Sequence, residues 1–352
     1  EPWDGVREAV APGNECVQFD PASPEDVIGS EDCLVLDVYA PRTAAGVVPT
    51  GAERKPVMVW IHGGGNAIGS ARMYDASRIA ADGDVIVVAI QYRLGVLGWL
   101  SHPALRASAE TPDDASGNYA NLDTIRALEW VRDEIGAFGG DPGNVTIFGE
   151  SAGGMNVFAL LLSPRAKGLF HRAISQSGVL VSTPVEQAEG FATDDDPRLA
   201  GAGEFLLRWL VQDGRAEDRE AAMAVLAGMD HAGIESYLRG KSAEALLRGF
   251  DASMMGGMYF VPQMIRDGQV IAKGDPLEAL ADPARHNAVP TIAGTNREET
   301  KLFAMMSSPH VRKTFGVPTG VRDELGFDLE GEYGGLLWKA QGADQPLDAM
   351  RR

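Results

Sequence analysis

Gly149-Glu150-Ser151-Ala152-Gly153-Gly154 decides how the rest of the chain is read. A β-branched run, Val145-Thr146-Ile147-Phe148, precedes it, and an apolar stretch from Met155 to Leu162 follows. Strand, G-x-S-x-G, helix is the order of a nucleophile elbow, the sharp turn that lifts a serine hydroxyl above the edge of a sheet. Glycines at 149 and 153 leave room for the turn and for close approach of helix to strand. In a chain with 42 glycines the pentapeptide alone is weak evidence. Its surroundings make the case.

Upstream, Gly117–Phe138 carries Leu122, Ile125, Leu128, Val131, Ile135 and Phe138 at helical spacing, with Gly139-Gly140-Asp141-Pro142 as a stop. Val85–Ile90 and Val57–Ile61 are short continuous apolar runs, the pattern of strands covered on both faces. His62-Gly63-Gly64-Gly65 follows the second run at once. A helix is expected over Met73–Ala81 and a strand over Leu34–Tyr39, ended by Pro41. Downstream, Arg172–Ser177 reads as a strand. From about 181 to 283 the texture turns charged and rich in Ala and Leu, with helical stretches at Gly203–Gln212, Ala216–Ala227 and Ala243–Phe250. This is expected to be a helical insertion forming part of the pocket, after which Val289–Gly294 returns to the sheet. Buried strands alternating with helices predict an α/β fold with a mostly parallel sheet and helices on both faces. Residues 1–352 are expected to make one such domain.

Hydrophobic content of 45% and charged content of 23% are ordinary for a globular chain, and no apolar run reaches the length of a membrane span. A net charge of −19 argues against nucleic acid or an anionic membrane as partner. The start at Glu1-Pro2 and the stop at Arg351-Arg352 suggest a piece of a longer chain, incomplete at both ends. Cys16 and Cys33, the two cysteines, flank a Pro-bearing polar stretch, Asp20-Pro21-Ala22-Ser23-Pro24, expected to be a surface loop. They form a bridge or stand as unrelated thiols; spacing leaves both open.

Ester hydrolysis through a serine needs a nucleophile, donors for the developing oxyanion, a general base, and a carboxylate to orient that base. Ser151 supplies the first. The backbone N–H of Ala152 opens a helix beside it, and the HGGG stretch resembles the loop that supplies further donors. A flexible turn is the plainer alternative for Gly63–Gly65. The carboxylate should follow a later strand, where Gly294-Thr295-Asn296-Arg297-Glu298-Glu299 stands; a helix start favoured by its acidic first turn explains the same residues.

With these pieces assembled the chain resembles the type-B carboxylesterases, the cholinesterase-like branch of the α/β hydrolases. The resemblance rests on Glu31-Asp32-Cys33-Leu34, Pro56–Gly65, Gln91-Tyr92-Arg93-Leu94-Gly95, Gly117-Asn118-Tyr119, Ala137–Gly154, Gly168–Ile174, Gln176-Ser177-Gly178 and the Glu299 segment. It implies the α/β-hydrolase fold and Ser151 as nucleophile, with Glu299 as the acid and Gly64, Gly65 and Ala152 as oxyanion donors. It also implies Ser177 as a neighbour of the triad and a Cys16–Cys33 disulfide. No cofactor or metal is implied, the partner is a small-molecule ester, and no oligomeric state follows.

The family's catalytic histidine lies well beyond the acid. Only His310 follows Glu299 here, too close for an intervening helix and returning strand; it is expected at the surface, and the base beyond residue 352. These residues alone should therefore be nearly inactive. His62 belongs to the glycine loop, while His102, His171, His231 and His286 read as structural. Asn66 departs from the aromatic or aliphatic residue frequent in the family, leaving the pocket wall there open. The absence of Trp between the cysteines argues against a choline-binding aromatic site. The resulting expectation is a serine carboxylesterase working through an acyl-enzyme on Ser151. The alternatives are a non-catalytic binding or adhesion protein and a lipase, for which Met254-Met255-Gly256-Gly257-Met258 offers apolar lining. A disulfide would favour export.

Overall fold

The apolar runs Val57–Ile61 and Val85–Ile90, upstream of the elbow, become neighbouring parallel strands. A computed structural model describes residues 9, 11–44, 46–192, 200–252 and 257–299, with the backbone of 311–314 and 317–321. The strands are β1 (Gln18–Asp20), β2 (Ser23–Ile28), β3 (Leu36–Tyr39), β4 (Lys55–Ile61), β5 (Ile86–Ile90), β6 (Gly140–Glu150), β7 (Arg172–Gln176), β8 (Thr291–Gly294), β9 (Val311–Thr314) and β10 (Val317–Val321). The helices up to the elbow are α1 (Ser77–Gly83), α2 (Gly95–Gly98), α3 (Pro103–Ala107), α4 (Tyr119–Glu134) and α5 (Ala152–Leu162). Between β7 and β8 come α6 (Val185–Glu189), α7 (Ala202–Gln212), α8 (Arg219–Ala227), α9 (His231–Arg239), α10 (Ala243–Leu247) and α11 (Pro276–Ala281).

Six strands make the central sheet in the order β3-β5-β4-β6-β7-β8. β3 runs antiparallel to β5, and every other pairing is parallel. Side-chain alternation sorts the apolar runs onto two faces. Val57, Val59, Ile61, Ile86, Val88, Ile90, Val145 and Ile147 enter the main core, whose helical side includes Leu128 and Val131 of α4 and Val157 and Leu160 of α5. Trp60, Val87 and Ala89 point to the other side, where Ala76 and Ala80 at α1 cover them. A continuous apolar run is what a strand buried on both faces requires. Gly153 sets how closely α5 lies on the sheet: a Cβ there would stand 1.9 Å from the carbonyl oxygen of Ile61.

Two local expectations are corrected. The helix expected over Met73–Ala81 begins only at Ser77, after a single 3-10 turn at Ala71–Met73. Tyr74 is extended (φ −123°, ψ 107°) with its ring 4.9 Å from that of Trp60, and the Asp75 carboxylate receives the Ser77 N–H to start the helix. The stretch between the cysteines is a β1–β2 hairpin rather than a loop. Its apolar residues decide this: Val17 and Phe19 are buried, and Val27 packs against them in the core. Asp20-Pro21-Ala22 forms its turn, where the Asp20 carboxylate receives the Ala22 N–H.

Cys16 and Cys33 are disulfide-bonded, their Cα atoms 4.9 Å apart, closing a loop with a sequence separation of 17. Closure of a loop this short stabilises by about 3 kcal/mol in the chain-entropy picture. Gln18, on the bridged hairpin, clasps Gly69 from both sides, receiving its N–H at 2.7 Å and donating to its carbonyl at 3.0 Å.

Between β7 and β8, α7, α8 and α10 follow the Ala- and Leu-rich stretches, and α6, α9 and α11 are additions, α9 the longest of them. There Ile234, Tyr237 and Leu238 are the buried stripe, and the Asp230 carboxylate caps the Gly233 N–H. This region is fastened to the sheet-bearing part at buried points. Asn118 exchanges two hydrogen bonds with the backbone of Ile265, at 2.8 and 2.9 Å, and the Tyr259 hydroxyl receives the Val96 N–H. Phe19, Tyr259, Phe250 and Phe205 continue the contact as successive ring pairs. Among the described residues no helix is long and apolar enough to cross a membrane.

Candidate active site

The parallel register aligns the strand ends. Ile61, Gly149, Ser175 and Ala293 are lateral neighbours across β4, β6, β7 and β8. Two residues further along those strands stand Gly63, Ser151, Ser177 and Thr295. Ser151 thus lies past the carboxyl edge of the sheet, between the glycine loop and the turn that carries Glu299.

Ser151 has φ 54° and ψ −117°, a conformation that costs a non-glycine residue on the order of 1–3 kcal/mol. Its neighbours hold it there: its N–H donates to the Gln176 carbonyl at 2.8 Å, and its carbonyl receives the Met155 N–H at 3.0 Å. Ala152 is the first residue of α5, so its N–H belongs to the helix terminus that has no intrahelical acceptor.

Three successive carbonyls fix the glycine loop. The Gly63 carbonyl receives His62 Nδ1–H at 2.8 Å. The Gly64 carbonyl receives the N–H groups of Ala67 and Ile68 at 3.1 and 3.0 Å. The Gly65 carbonyl receives Gln263 Nε2 at 3.2 Å. All described peptides are trans. In a planar trans peptide the N–H points opposite to the carbonyl. The Gly64 N–H is therefore aimed by the bond at Gly63 O, and the Gly65 N–H by the bonds at Gly64 O. Gly64 itself, at φ 108°, admits no side chain: a Cβ would stand 2.1 Å from the Ile68 carbonyl oxygen. A Cβ at Gly63 would lie 3.4 Å from that of Ser151, so loop and elbow are in contact.

Glu299 gathers its bonds on one oxygen. Oε1 receives the Ser177 hydroxyl at 2.6 Å, the Asn296 N–H at 3.0 Å and Asn296 Nδ2 at 3.1 Å. Ser177 first, then the Asn296 backbone, hold this carboxyl below the usual carboxylate range. Ser177 is itself at φ 52°, with its N–H on the Gly294 carbonyl at 2.7 Å. The resemblance implied Ser177 only as a neighbour of the triad and gave no sign of the Asn296 turn. Glu150 is pushed the other way, up, by partial burial and then by the charge on Glu299.

The described histidines have other occupations. His102 Nδ1 caps the Ala104 N–H, His171 Nδ1 receives the Val145 N–H, His231 opens α9, and His286 Nδ1 meets the carbonyls of Ala279 and Asp282. His310 and Met254–Gly256 lie outside the described residues. His62 is fully buried and stacked on Tyr92 at 4.4 Å. Burial pulls its pKa down to about 4 from the ordinary 6.5, opposed by its bond to Gly63. Between those values the unfolded chain binds a proton that the folded protein refuses, so stability falls as pH drops. A loss approaching about 3 kcal/mol is expected from His62 between pH 6.5 and 4. His102, depressed chiefly by burial, adds in the same direction. Urea unfolding from pH 7 to 4 should show this slope, reduced in His62→Gln; an identical slope in that variant refutes the assignment.

The sequence left the pocket wall at Asn66 undetermined; in the structure this residue turns inward. It is buried, with φ 59°, and sits among amides that sequence reading did not connect. Asn156, a buried polar residue inside the otherwise apolar α5, was the available signal. Met258 does reach the loop, its Sδ 3.0 Å from where a Gly65 Cβ would be.

A mostly parallel sheet, a serine on a strained strand-to-helix turn and a glycine loop beside it define an α/β hydrolase. The profile of the carboxylesterase family matches residues 1–317. The chain belongs to that family. It is 37% identical over 329 residues to carboxylesterase 1D of Rattus norvegicus, covering 85% of this chain and 50% of that protein. Liver carboxylesterase B-1 of the same organism is 40% identical over 277 residues, 77% of this chain and 43% of that protein. The solved structure of a PNB esterase superposes with a TM-score of 0.66 at 32% identity, covering 99% of this chain and 64% of that one. The chain thus spans about half the length of the curated relatives it matches.

Proposed function

We propose that the protein is a serine carboxylesterase and that Ser151 is its nucleophile, with Glu299 as triad acid and Gly64, Gly65 and Ala152 as oxyanion donors. The observation that carries this reading is the strained Ser151 turn, held by Gln176 and Met155 beside a glycine loop whose N–H directions are fixed by bonds at its own carbonyls. Oγ attacks the ester carbonyl carbon as a histidine outside the described residues takes its proton. The carbonyl oxygen becomes an oxyanion against the three N–H groups. Collapse expels the alcohol, which takes the proton from the imidazolium, and water then repeats the sequence on the acyl-enzyme. Glu299, kept ionised by Ser177 and Asn296, orients the imidazole and offsets its charge. Residues 181–283 act as an insertion within a single domain and supply part of the pocket through Met258. The Cys16–Cys33 bond supports an exported protein.

An organophosphonate is expected to label the intact protein once, on Ser151, with loss of p-nitrophenyl ester turnover in proportion. Peptide mapping by mass spectrometry reads this. Label on another residue, or turnover that survives full labelling, overturns the proposal.

A further inference from the structure

The loop that follows the glycines is anchored by a directional chain of buried amides. Its direction is set at one end. The Gly65 carbonyl only accepts, so the group of Gln263 that meets it at 3.2 Å is the Nε2 donor. That leaves Gln263 Oε1 as acceptor for Asn66 Nδ2, at 2.8 Å. Asn66 Oδ1 then accepts from Asn156 Nδ2 at 2.9 Å. The three residues are buried, and Asn66 also gives its backbone carbonyl to the Gly95 N–H at 2.6 Å. One side chain therefore joins the glycine loop to the helix behind Ser151 and to the 257–265 segment.

We propose that Asn66 is a positioning residue for the oxyanion loop, acting through Gln263 on the Gly65 peptide and through Asn156 on α5. The proposal rests on the reading of Ser151 and the glycine loop given above. Two features support a role beyond filling space. Asn66 holds a left-handed backbone conformation, which asparagine tolerates better than most residues. Each amide hydrogen bond in the chain also has a single permitted sense, so rotating or removing one member leaves a buried donor or acceptor without its partner. The outcome is a Gly65–Asn66 peptide held at its carbonyl by Gln263 and through the Asn66 side chain by Gln263 and Asn156, next in sequence to the N–H groups that would donate to the oxyanion.

The test uses the intact protein with Asn66→Gly, which keeps the left-handed backbone and deletes the amide, and Gln263→Met, which removes the tether from the other end. Active sites are first titrated with a phosphonate, so that unfolded protein does not count. Per titrated site, kcat for a p-nitrophenyl ester is expected to fall about a hundredfold, the cost of a small misplacement at a reacting centre. KM should stay within about twofold, and inhibition by a trifluoromethyl ketone, which forms a tetrahedral adduct, should weaken in parallel with kcat. The double variant should lose little more than either single one, because both break the same chain. A wild type that neither turns over ester nor takes the label overturns the reading of the site itself. An active, labelled wild type whose variants keep kcat per site, losing only thermal stability, overturns the proposal for Asn66.

Discussion

Ser151→Ala is expected to lower ester turnover by about a millionfold, to a residue of activity from the oxyanion donors alone. The substitution removes a single oxygen. It leaves the backbone bonds to Gln176 and Met155 in place, since both are made by main-chain atoms. Alanine carries the same β-carbon at φ 54°, so the cost of the turn is nearly unchanged. KM should therefore move little while kcat collapses, and phosphonate labelling should vanish with it. Steady-state kinetics on the purified variant, with circular dichroism to show that the fold persists, reads both. Retention of even one per cent of wild-type kcat is incompatible with Ser151 as nucleophile.

Glu299→Gln separates charge from geometry. Glutamine keeps an oxygen where Oε1 receives Ser177 at 2.6 Å and Asn296 at 3.0 Å, so the turn survives. What disappears is the negative charge that, in the proposed mechanism, stabilises an imidazolium and selects its tautomer. The expected loss is about 10⁴-fold in kcat, the size found when the acid of a serine triad becomes its amide. Glu150 offers an independent readout. Part of its upward shift comes from the Glu299 charge, so its titration should move down in the variant. A kcat within tenfold of wild type would show that another carboxylate orients the base.

The glycine loop was legible in the sequence because it follows a continuous apolar run, and Ser151 because a β-branched run leads into its G-x-S-x-G and an apolar stretch follows it. Such runs are short, buried on both faces and hard to mistake once helices alternate with them. Their spatial order was not written there. That β4 lies between β5 and β6, putting Gly63 against Ser151, is a property of pairing and not of any one segment. Local competition misled the reading at Met73, where a Trp60–Tyr74 contact holds the chain extended, and between the cysteines, where buried Phe19 turns a polar stretch into a hairpin. The amide chain at Asn66 was least legible. Its members are separated by 90 and 197 positions, and each alone looks like a misplaced polar residue.

That separation bears on the order in which the molecule assembles. The bonds from Gly64 to Ala67 and Ile68 are local and close early, whereas the one from Asn66 to Gln263 must wait until residue 263 has been made and brought back. Contacts so distant along the chain carry a larger entropic cost of closure and form late. During synthesis the sheet through β7 can thus be paired while the glycine loop is still without its far tether. Refolding followed by strand signal should run ahead of the recovery of ester turnover. On the proposed reading, the tether that positions the oxyanion loop is among the last to be fastened.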